Sequence, residues 1–157
     1  MRVYVGADYR GFDLKNQLGT FLIQNGYEVY DAGAYEYSEG DDFNDPAINV
    51  ALNVRQNDGA MGILICDSAH GMTMQANRFL GIRAAHADSE ESARLAREHD
   101  DANVLCLSAH STNLSDMKAI SLVFLKTKFE KLDRRARRIA RLDKDNGYNI
   151  FDKESSL

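Results

Sequence analysis

The sequence is poor in cysteine and proline, and it has no long apolar run. Its 157 residues include two cysteines and one proline, and no apolar run approaches the about 20 residues that a membrane-spanning helix needs. Two thiols, Cys66 and Cys106, are too few for a disulfide framework or a metal cluster. The first residues, MRVYVGADYRGF, are typical of a strand and a turn rather than of a signal peptide. We therefore expect a cytoplasmic protein whose thiols are both free.

Charge and composition exclude further classes of protein. A net charge of −5 argues against a general nucleic-acid binder. With 44% apolar and 27% charged residues, the chain can build a core and is unlike a disordered protein. We expect one domain over residues 1–145 and a polar tail over 146–157, with neither a nucleic acid nor a membrane as a partner.

Segments typical of strands alternate with segments typical of helices along the chain. The helical segments carry apolar residues three and four positions apart, and Gly26 and Gly59 lie where two of them end. This alternation predicts a doubly wound α/β fold, with a mostly parallel sheet between two layers of helices. The predicted strands are Arg2–Gly6, Tyr27–Tyr30, Met61–Ile65, Gly81–His86 and Asn103–Leu107.

The central segment, residues 61–78, reads MGILICDSAHGMTMQANR. Its apolar start is typical of a strand buried on both faces of a parallel sheet, and Cys66 ends that strand. The small-residue turn that follows opens a helix, where free N–H groups suit an oxyanion or a phosphate. Cys66 is either an inert core cysteine or a thiol whose pKa the helix N-terminus lowers, so that it can act as a base or nucleophile. Cys106, inside a predicted strand, is expected to be core.

Two further residues have both a structural and a chemical interpretation. His99 ends a helix just before the last strand, so it either stabilises the helix dipole or donates a proton near pH 7. That position puts His99 on the sheet edge opposite Cys66, unless a second subunit supplies the histidine. Asp8, at the end of the first strand, is either a turn cap or a carboxylate that orients a catalytic group.

Helix signals near the C-terminal half add two predictions. Asp88 with Glu91 resembles a capping box, which predicts that Asp88 caps the following helix. The last helix carries arginines that lie mostly on one face, which is either solvated or a clamp for phosphate. Glycine motifs of nucleotide-binding folds are absent. The arginines are Arg134, Arg135, Arg137, Arg138 and Arg141.

Four segments in the same order resemble one family: GADYRGFDLK, GILICDSAHGM, ANRFLGIRAA and SARLAREHDDANVLCLSAH. They resemble the type-B ribose-5-phosphate isomerases and the galactose-6-phosphate isomerase subunits over about residues 2–142. The resemblance implies a Rossmann-like three-layer α/β/α sandwich that interconverts an aldose phosphate and its ketose without a metal or other cofactor. It also implies a homodimer or tetramer with shared active sites, in which the C-terminal helix reaches the partner.

The resemblance implies a role for each matched site residue. Cys66 would move a proton between C1 and C2 through an enediolate, and the turn after it, with Ser68, would hold the oxyanion. His99 of the partner subunit would open the sugar ring, with help from Asp8. The implied substrate-binding residues are Tyr9, Arg10, Asp42, Asp67, Ala69, His70, Gly71, Asp100, His110, Arg134 and Arg138.

The chain departs from the family pattern around the sugar. Tyr9 stands where the family usually has His, Asp67 where Gly follows the base cysteine, Asp100 where Asn is usual, and His110 where Arg is usual. His70 is also unusual in its turn. A carboxylate at Asp67 would raise the pKa of the thiol unless it points away or binds the substrate. These departures predict that the substrate is not ribose 5-phosphate. We expect another pentose phosphate or a related sugar of four to six carbons.

Two other functions stay open on the sequence. One is a sugar-phosphate-binding subunit that is inactive unless paired, which the added charge at Asp67 favours and the retained Cys66 and His99 oppose. The other is a thiol hydrolase in which Cys66 acts with His70 or His110.

Overall fold

The structure, a computed structural model, describes residues 1–144; the predicted polar tail over 146–157 lies outside the described residues. The strands are β1 (Arg2–Ala7), β2 (Glu28–Asp31), β3 (Met61–Cys66), β4 (Ala84–His86) and β5 (Val104–Ser108). The helices are α1 (Phe12–Gln24), α2 (Asn44–Gln56), α3 (His70–Ala76), α4 (Glu90–Asp100), α5 (Leu114–Lys126) and α6 (Asp133–Lys144). Within residues 1–144, no helix has the length and apolar character needed to cross a bilayer.

All five strands are parallel, in the order β2-β1-β3-β5-β4, so β3 is the central strand. Ile63 of β3 aligns with Val5 on one side and Leu105 on the other. Every residue of β3 is buried, which is what an apolar run without alternation predicts. The predicted fold class is confirmed as a three-layer sandwich with a five-stranded parallel sheet.

The two faces of the sheet carry separate cores. Helices α1, α4 and α5 pack on one face, where Ile63 and Leu105 are fully buried. Helices α2 and α3 pack on the other face, with Leu64 and Cys106. Because side chains alternate along a strand, Cys66 lies on the face that α2 and α3 cover.

The fourth strand is shorter than predicted. It begins at Ala84 rather than Gly81, whose φ is +79°. The backbone N–H of Arg83 donates to the side chain of Asn103 at 2.8 Å rather than to a neighbouring strand. The segment before β4 is therefore held by a side-chain contact rather than by pairing between strands. Only Ala84–His86 pair with β5.

The cap of α4 also differs from the prediction. Ser89, not Asp88, is the capping residue, and its hydroxyl accepts the N–H of Ser92 at 3.2 Å. Ser89 lies directly before the helix in an extended conformation, which brings its short side chain within reach of that N–H. Asp88 comes one residue too early, so the predicted capping box is wrong.

Candidate functional site

The carboxyl ends of β1, β3 and β5 meet at one edge of the sheet. The N–H of Asp8 donates to the carbonyl of Ile65 at 3.3 Å, and the N–H of Ala109 donates to the carbonyl of Cys66 at 2.8 Å. These bonds join three loops around the end of the central strand. Ligands of parallel α/β sheets bind at this edge. The structure therefore brings together Asp8, the turn after Cys66, and the residues that follow β5.

The turn between β3 and α3 is tied to the loop after β5. The carbonyl of Asp67 accepts the N–H of His110 at 3.0 Å and the hydroxyl of Ser108 at 2.7 Å. Ala69 has a φ of 66°, in the left-handed region that strains a residue with a side chain. The side chains of Asp67 and Ser68, at the start of this turn, are exposed. The turn is thus held firmly while its polar side chains face solvent.

The thiol of Cys66 is almost fully buried, with 5% of the residue exposed. Burial raises its pKa, and the carboxylates of Asp8 and Asp67 raise the pKa further. Backbone hydrogen bonds from Met72 and Ala69 oppose this increase only in part. The predicted lowering of the thiol pKa by the helix N-terminus is therefore wrong, because desolvation outweighs the backbone donors. The predicted effect of Asp67 has the correct sign.

Cys106 belongs to the core, as predicted. It is fully buried on β5, in register with Leu64 of the central strand. Burial raises its pKa to about 12, although a hydrogen bond with the Thr73 side chain acts in the opposite direction. Cys106 is therefore a core thiol, and Cys66 is the thiol at the sheet edge.

Asp8 acts as a turn cap. One carboxylate oxygen accepts the N–H groups of Arg10 at 3.0 Å and Gly11 at 3.2 Å. Burial raises the pKa of Asp8, and these two N–H groups partly offset the increase. The structural interpretation of Asp8 is confirmed, and its role in orienting a catalytic group stays a prediction.

The loop between β2 and α2 contacts the first turn through an aspartate. The carboxylate of Asp41 accepts the backbone N–H of Tyr9 at 2.9 Å. The Arg10 guanidinium lies 5.1 Å from the centre of the Tyr9 ring. Asp42, the predicted site residue, is exposed and lines a cavity of ≈ 240 Å³ with Asp41. Sequence reasoning missed Asp41, since two adjacent acidic residues give no signal of which one turns toward Tyr9.

Two aromatic contacts surround the start of α3. The ring of His70 lies 5.8 Å from the ring of His86, and His70 is exposed. The Phe43 ring covers Gly71 so closely that a Cβ at Gly71 would lie 2.7 Å from it. A larger residue at Gly71 would therefore require the Phe43 ring to move. His110 is also exposed at this edge, so His70, Gly71 and His110 are all placed near the thiol loop.

His99 lies at the opposite edge of the sheet from Cys66. Helix α4 ends at Asp100, before the start of β5, so His99 and Asp100 are at the amino ends of the strands. Arg134 and Arg138 are exposed on α6, whose Arg135 reaches the end of α4. Within one chain, His99, Asp100, Arg134 and Arg138 are therefore distant from the thiol of Cys66. This separation is predicted for His99 from its position in the sequence.

A parallel α/β sandwich is the architecture of Rossmann-like proteins, which bind small ligands at the carboxyl edge of the sheet. In this chain that edge carries the buried thiol of Cys66. The model of the ribose/galactose isomerase family matches residues 3–142. The chain belongs to the ribose/galactose isomerase family.

Individual relatives agree over most of the chain. Ribose-5-phosphate isomerase B from Mycobacterium leprae is 35% identical over 88% of this chain and 86% of its own. The probable ribose-5-phosphate isomerase B of Mycoplasma genitalium is 39% identical over 91% of this chain and 96% of its own. The crystal structure of the Mycoplasma genitalium enzyme with bound ribulose-5-phosphate superposes with a TM-score of 0.87 at 38% identity, covering 91% of this chain and 94% of that one. The resemblance found in the sequence is confirmed, and the chain is an aldose–ketose isomerase.

Proposed function

We propose that this chain interconverts an aldose phosphate and its ketose, with Cys66 as the base and His99 of the partner subunit as the ring-opening acid. The observation that carries the proposal is the position of the Cys66 sulfur. It lies at the carboxyl end of the central strand, next to the N–H groups of Ala69 and Met72. A base at this place can reach a carbon of a bound sugar, and nearby N–H groups can stabilise an oxyanion.

The proposed reaction moves hydrogen between neighbouring carbons of the open-chain sugar. The Cys66 thiolate removes the proton from C2, and the electron pair of that bond forms the C1–C2 double bond of an enediolate while O1 takes the charge. The thiol then returns the proton to C1, and the O2 hydroxyl proton passes to O1 as the ketone forms at C2. The thiolate is restored, C1 is reduced and C2 is oxidised, so the step balances within the sugar.

The proposed active site is shared between two copies of the chain. His99, Arg134 and Arg138 lie at the amino edge, and in the described part of the chain the two arginines have no ion-pair partner. In a two-fold symmetric dimer, the amino edge of one copy can face the carboxyl edge of the other. Guanidinium groups bind phosphate by paired hydrogen bonds. We propose that Arg134 and Arg138 of the partner subunit bind the substrate phosphate, with α6 reaching across the interface.

The proposed substrate is a phosphorylated sugar of four to six carbons, and the first candidates are five-carbon sugars. The relative from Mycoplasma genitalium was solved with ribulose-5-phosphate bound. By the resemblance, Tyr9 and His110 stand where the family usually has His and Arg. Arg10, exposed beside Tyr9, supplies a guanidinium at the same edge, and the exposed Asp67 adds a carboxylate that can accept sugar hydroxyls. We therefore propose a sugar phosphate other than ribose 5-phosphate.

Proton exchange at C2 of candidate aldose phosphates in deuterated water tests the proposal. We expect exchange and isomerisation with at least one of these sugars, and a loss of about 1,000-fold in both with Cys66→Ser. Cys106→Ser is the matched control, because it changes a buried thiol that lies away from the sheet edge. Exchange that survives in Cys66→Ser, or that is absent for every sugar tested in the wild-type protein, would contradict the proposal.

A second candidate is a subunit that binds sugar phosphate but turns it over only with a different partner chain. The raised pKa of Cys66 favours this candidate, since a protonated thiol is a poor base. The purified chain alone separates the two: turnover supports the first function, and sugar binding without exchange up to pH 9.5 supports the second.

A further inference from the structure

The side chain of His99 contacts that of its sequence neighbour. Its Nε2 lies 3.3 Å from a carboxylate oxygen of Glu98. Adjacent residues of an α-helix point about 100° apart, so their side chains do not normally face each other. The contact therefore reflects the particular positions of these two side chains rather than the helix geometry. Both are partly exposed, at 38% for His99 and 28% for Glu98.

The carboxylate of Glu98 is itself held by arginines. The Arg94 guanidinium bonds to it from the preceding turn of α4, and Arg135 of α6 lies 3.9 Å away. The hydrogen bond from Arg94 is the main cause of the lowered pKa of Glu98, and the charges of His99 and Arg135 add to it. The Glu98 carboxylate is therefore contacted by Arg94 and Arg135 as well as by His99.

The backbone of Glu98 is also fixed from outside its helix. Its carbonyl accepts the N–H of Glu130 at 2.9 Å and a guanidinium N–H of Arg135 at 3.4 Å. Arg135 is 8% exposed and also pairs with the side chain of Glu130. Glu98 thus joins α4, which carries His99, to the connection before α6 and to α6 itself.

We propose that Glu98 is a positioning residue that sets the orientation of the His99 imidazole; this inference rests on the proposed role of His99 in ring opening. With Nε2 directed at Glu98, the Nδ1 side of the ring is left to face the sugar bound in the neighbouring copy. The charged groups that act on the imidazole are Glu98, at 3.3 Å, and Glu91, through its charge alone. Arg94 and Arg135 contact Glu98, and Glu130 pairs with Arg135. Because both partners are partly exposed, Glu98 acts through orientation more than through charge.

The chemistry of a five-carbon sugar allows ring opening to be measured separately from proton transfer. An aldose 5-phosphate exists mainly as a ring and must open before reaction. The matching 2-ketose cannot close a five-membered ring, because its O5 carries the phosphate. Exchange of the C1 proton of the ketose with solvent therefore needs the base at Cys66 and does not need the ring-opening acid.

The test compares these two rates in Glu98→Ala, which removes the carboxylate that contacts His99. Glu98→Gln keeps an acceptor oxygen in the same place and should retain most of the wild-type rate. In Glu98→Ala, we expect aldose-to-ketose kcat to fall about 10-fold and the exchange at C1 of the ketose to stay within about twofold. Glu91→Ala is the matched control, because Glu91 bonds the same Arg94 at 2.8 Å and acts on His99 only through its charge. Equal losses in both rates, or no loss in either, would overturn the inference.

A second measurement does not depend on activity. We expect ¹⁵N NMR of the imidazole nitrogens to show a larger change in the Nε2 resonance of His99 in Glu98→Ala than in Glu91→Ala. An unchanged resonance, or an equal change in the two variants, would overturn the inference even if Glu98→Ala were inactive. If the wild-type protein exchanges no sugar proton, the proposed function fails, and the NMR result still decides whether Glu98 positions His99.

Discussion

The sulfur of Cys66 lies between backbone donors that favour the thiolate and surroundings that favour the thiol. Burial and the carboxylates of Asp8 and Asp67 raise its pKa, while the N–H groups of Met72 and Ala69 lower it. The balance is a pKa above the ordinary value for cysteine. A base of this kind becomes active as pH rises, so we expect kcat/KM to increase with pH through the titration of the thiol.

Asp67→Asn tests the electrostatic part of this balance. Removing the negative charge makes the thiolate less unfavourable, which lowers the pKa of Cys66. The rising limb of the pH profile of kcat/KM should therefore move to lower pH, by about half a unit. Asp67→Glu keeps the charge and should leave the limb in place. A limb that stays fixed in Asp67→Asn, or moves to higher pH, would contradict the expectation.

The position of Cys66 could be predicted from local sequence, whereas its pKa could not. A strand that ends before a small-residue turn is visible in residues 61–71 alone. The charge state of the thiol depends on how deeply α3 covers it and on Asp8, which arrives from β1. Asp41 is a similar case, because its contact with Tyr9 joins two segments that are far apart in the sequence.

Among the elements, the short strand β4 depends on Arg83 at its entrance. Arg83 donates to the carbonyl of Asp101 at 2.8 Å and to its carboxylate at 2.9 Å. Its other guanidinium nitrogen contacts both carboxylate oxygens of Asp143 in α6 at 3.1 Å. Arg83 thus connects the start of β4 to the end of α4 and to α6 at the amino edge of the sheet. It also lines a cavity of ≈ 360 Å³ at that edge.

Arg83→Met should lower the free energy of unfolding by about 1–2 kcal/mol. The change leaves Asp143 without this arginine, while Asp101 keeps its contact with Arg97 at 2.8 Å, so the cost stays moderate. Urea denaturation measures the difference. Arg55→Met is the control, since Arg55 lines the same cavity and is exposed. We expect the control to change stability by less than about 0.5 kcal/mol, and equal losses in the two variants would contradict the role given to Arg83.

Long buried elements could be predicted from the sequence better than short ones at the edge. All six residues of β3 are buried between two neighbours, so packing and apolar pattern agree. In β4, only three residues pair with β5, and the side chain of Asn103 takes the N–H of Arg83. The cap of α4 differs from the predicted one for a related reason. Ser89 and Asp88 are adjacent and both able to cap, and the backbone conformation decides between them.

At the scale of the whole molecule, the chain carries two halves of the proposed site on opposite edges of one sheet. Cys66 and Asp8 are at the carboxyl edge, whereas His99 and the exposed arginines of α6 are at the amino edge. The sequence order alone indicates this separation, because a residue just before a parallel strand cannot lie where that strand ends. Which copy completes which site depends on an interface between folded chains, and no segment of the sequence carries a local signal for it.

Mixing two inactive variants tests whether the halves come from different copies. In a dimer of one Cys66→Ala chain and one His99→Ala chain, one site has lost both groups and the other has both. Random reassembly of equal amounts makes about half of the dimers mixed, so activity should recover to about a quarter of the wild-type value. Unfolding and refolding the variants together, and assaying isomerisation before and after, measures the recovery. A mixture of Cys66→Ala with Cys66→Ser is the control and should stay inactive. If Cys66 and His99 acted within one chain, every site in the mixed dimer would lack one group, and refolding would restore nothing.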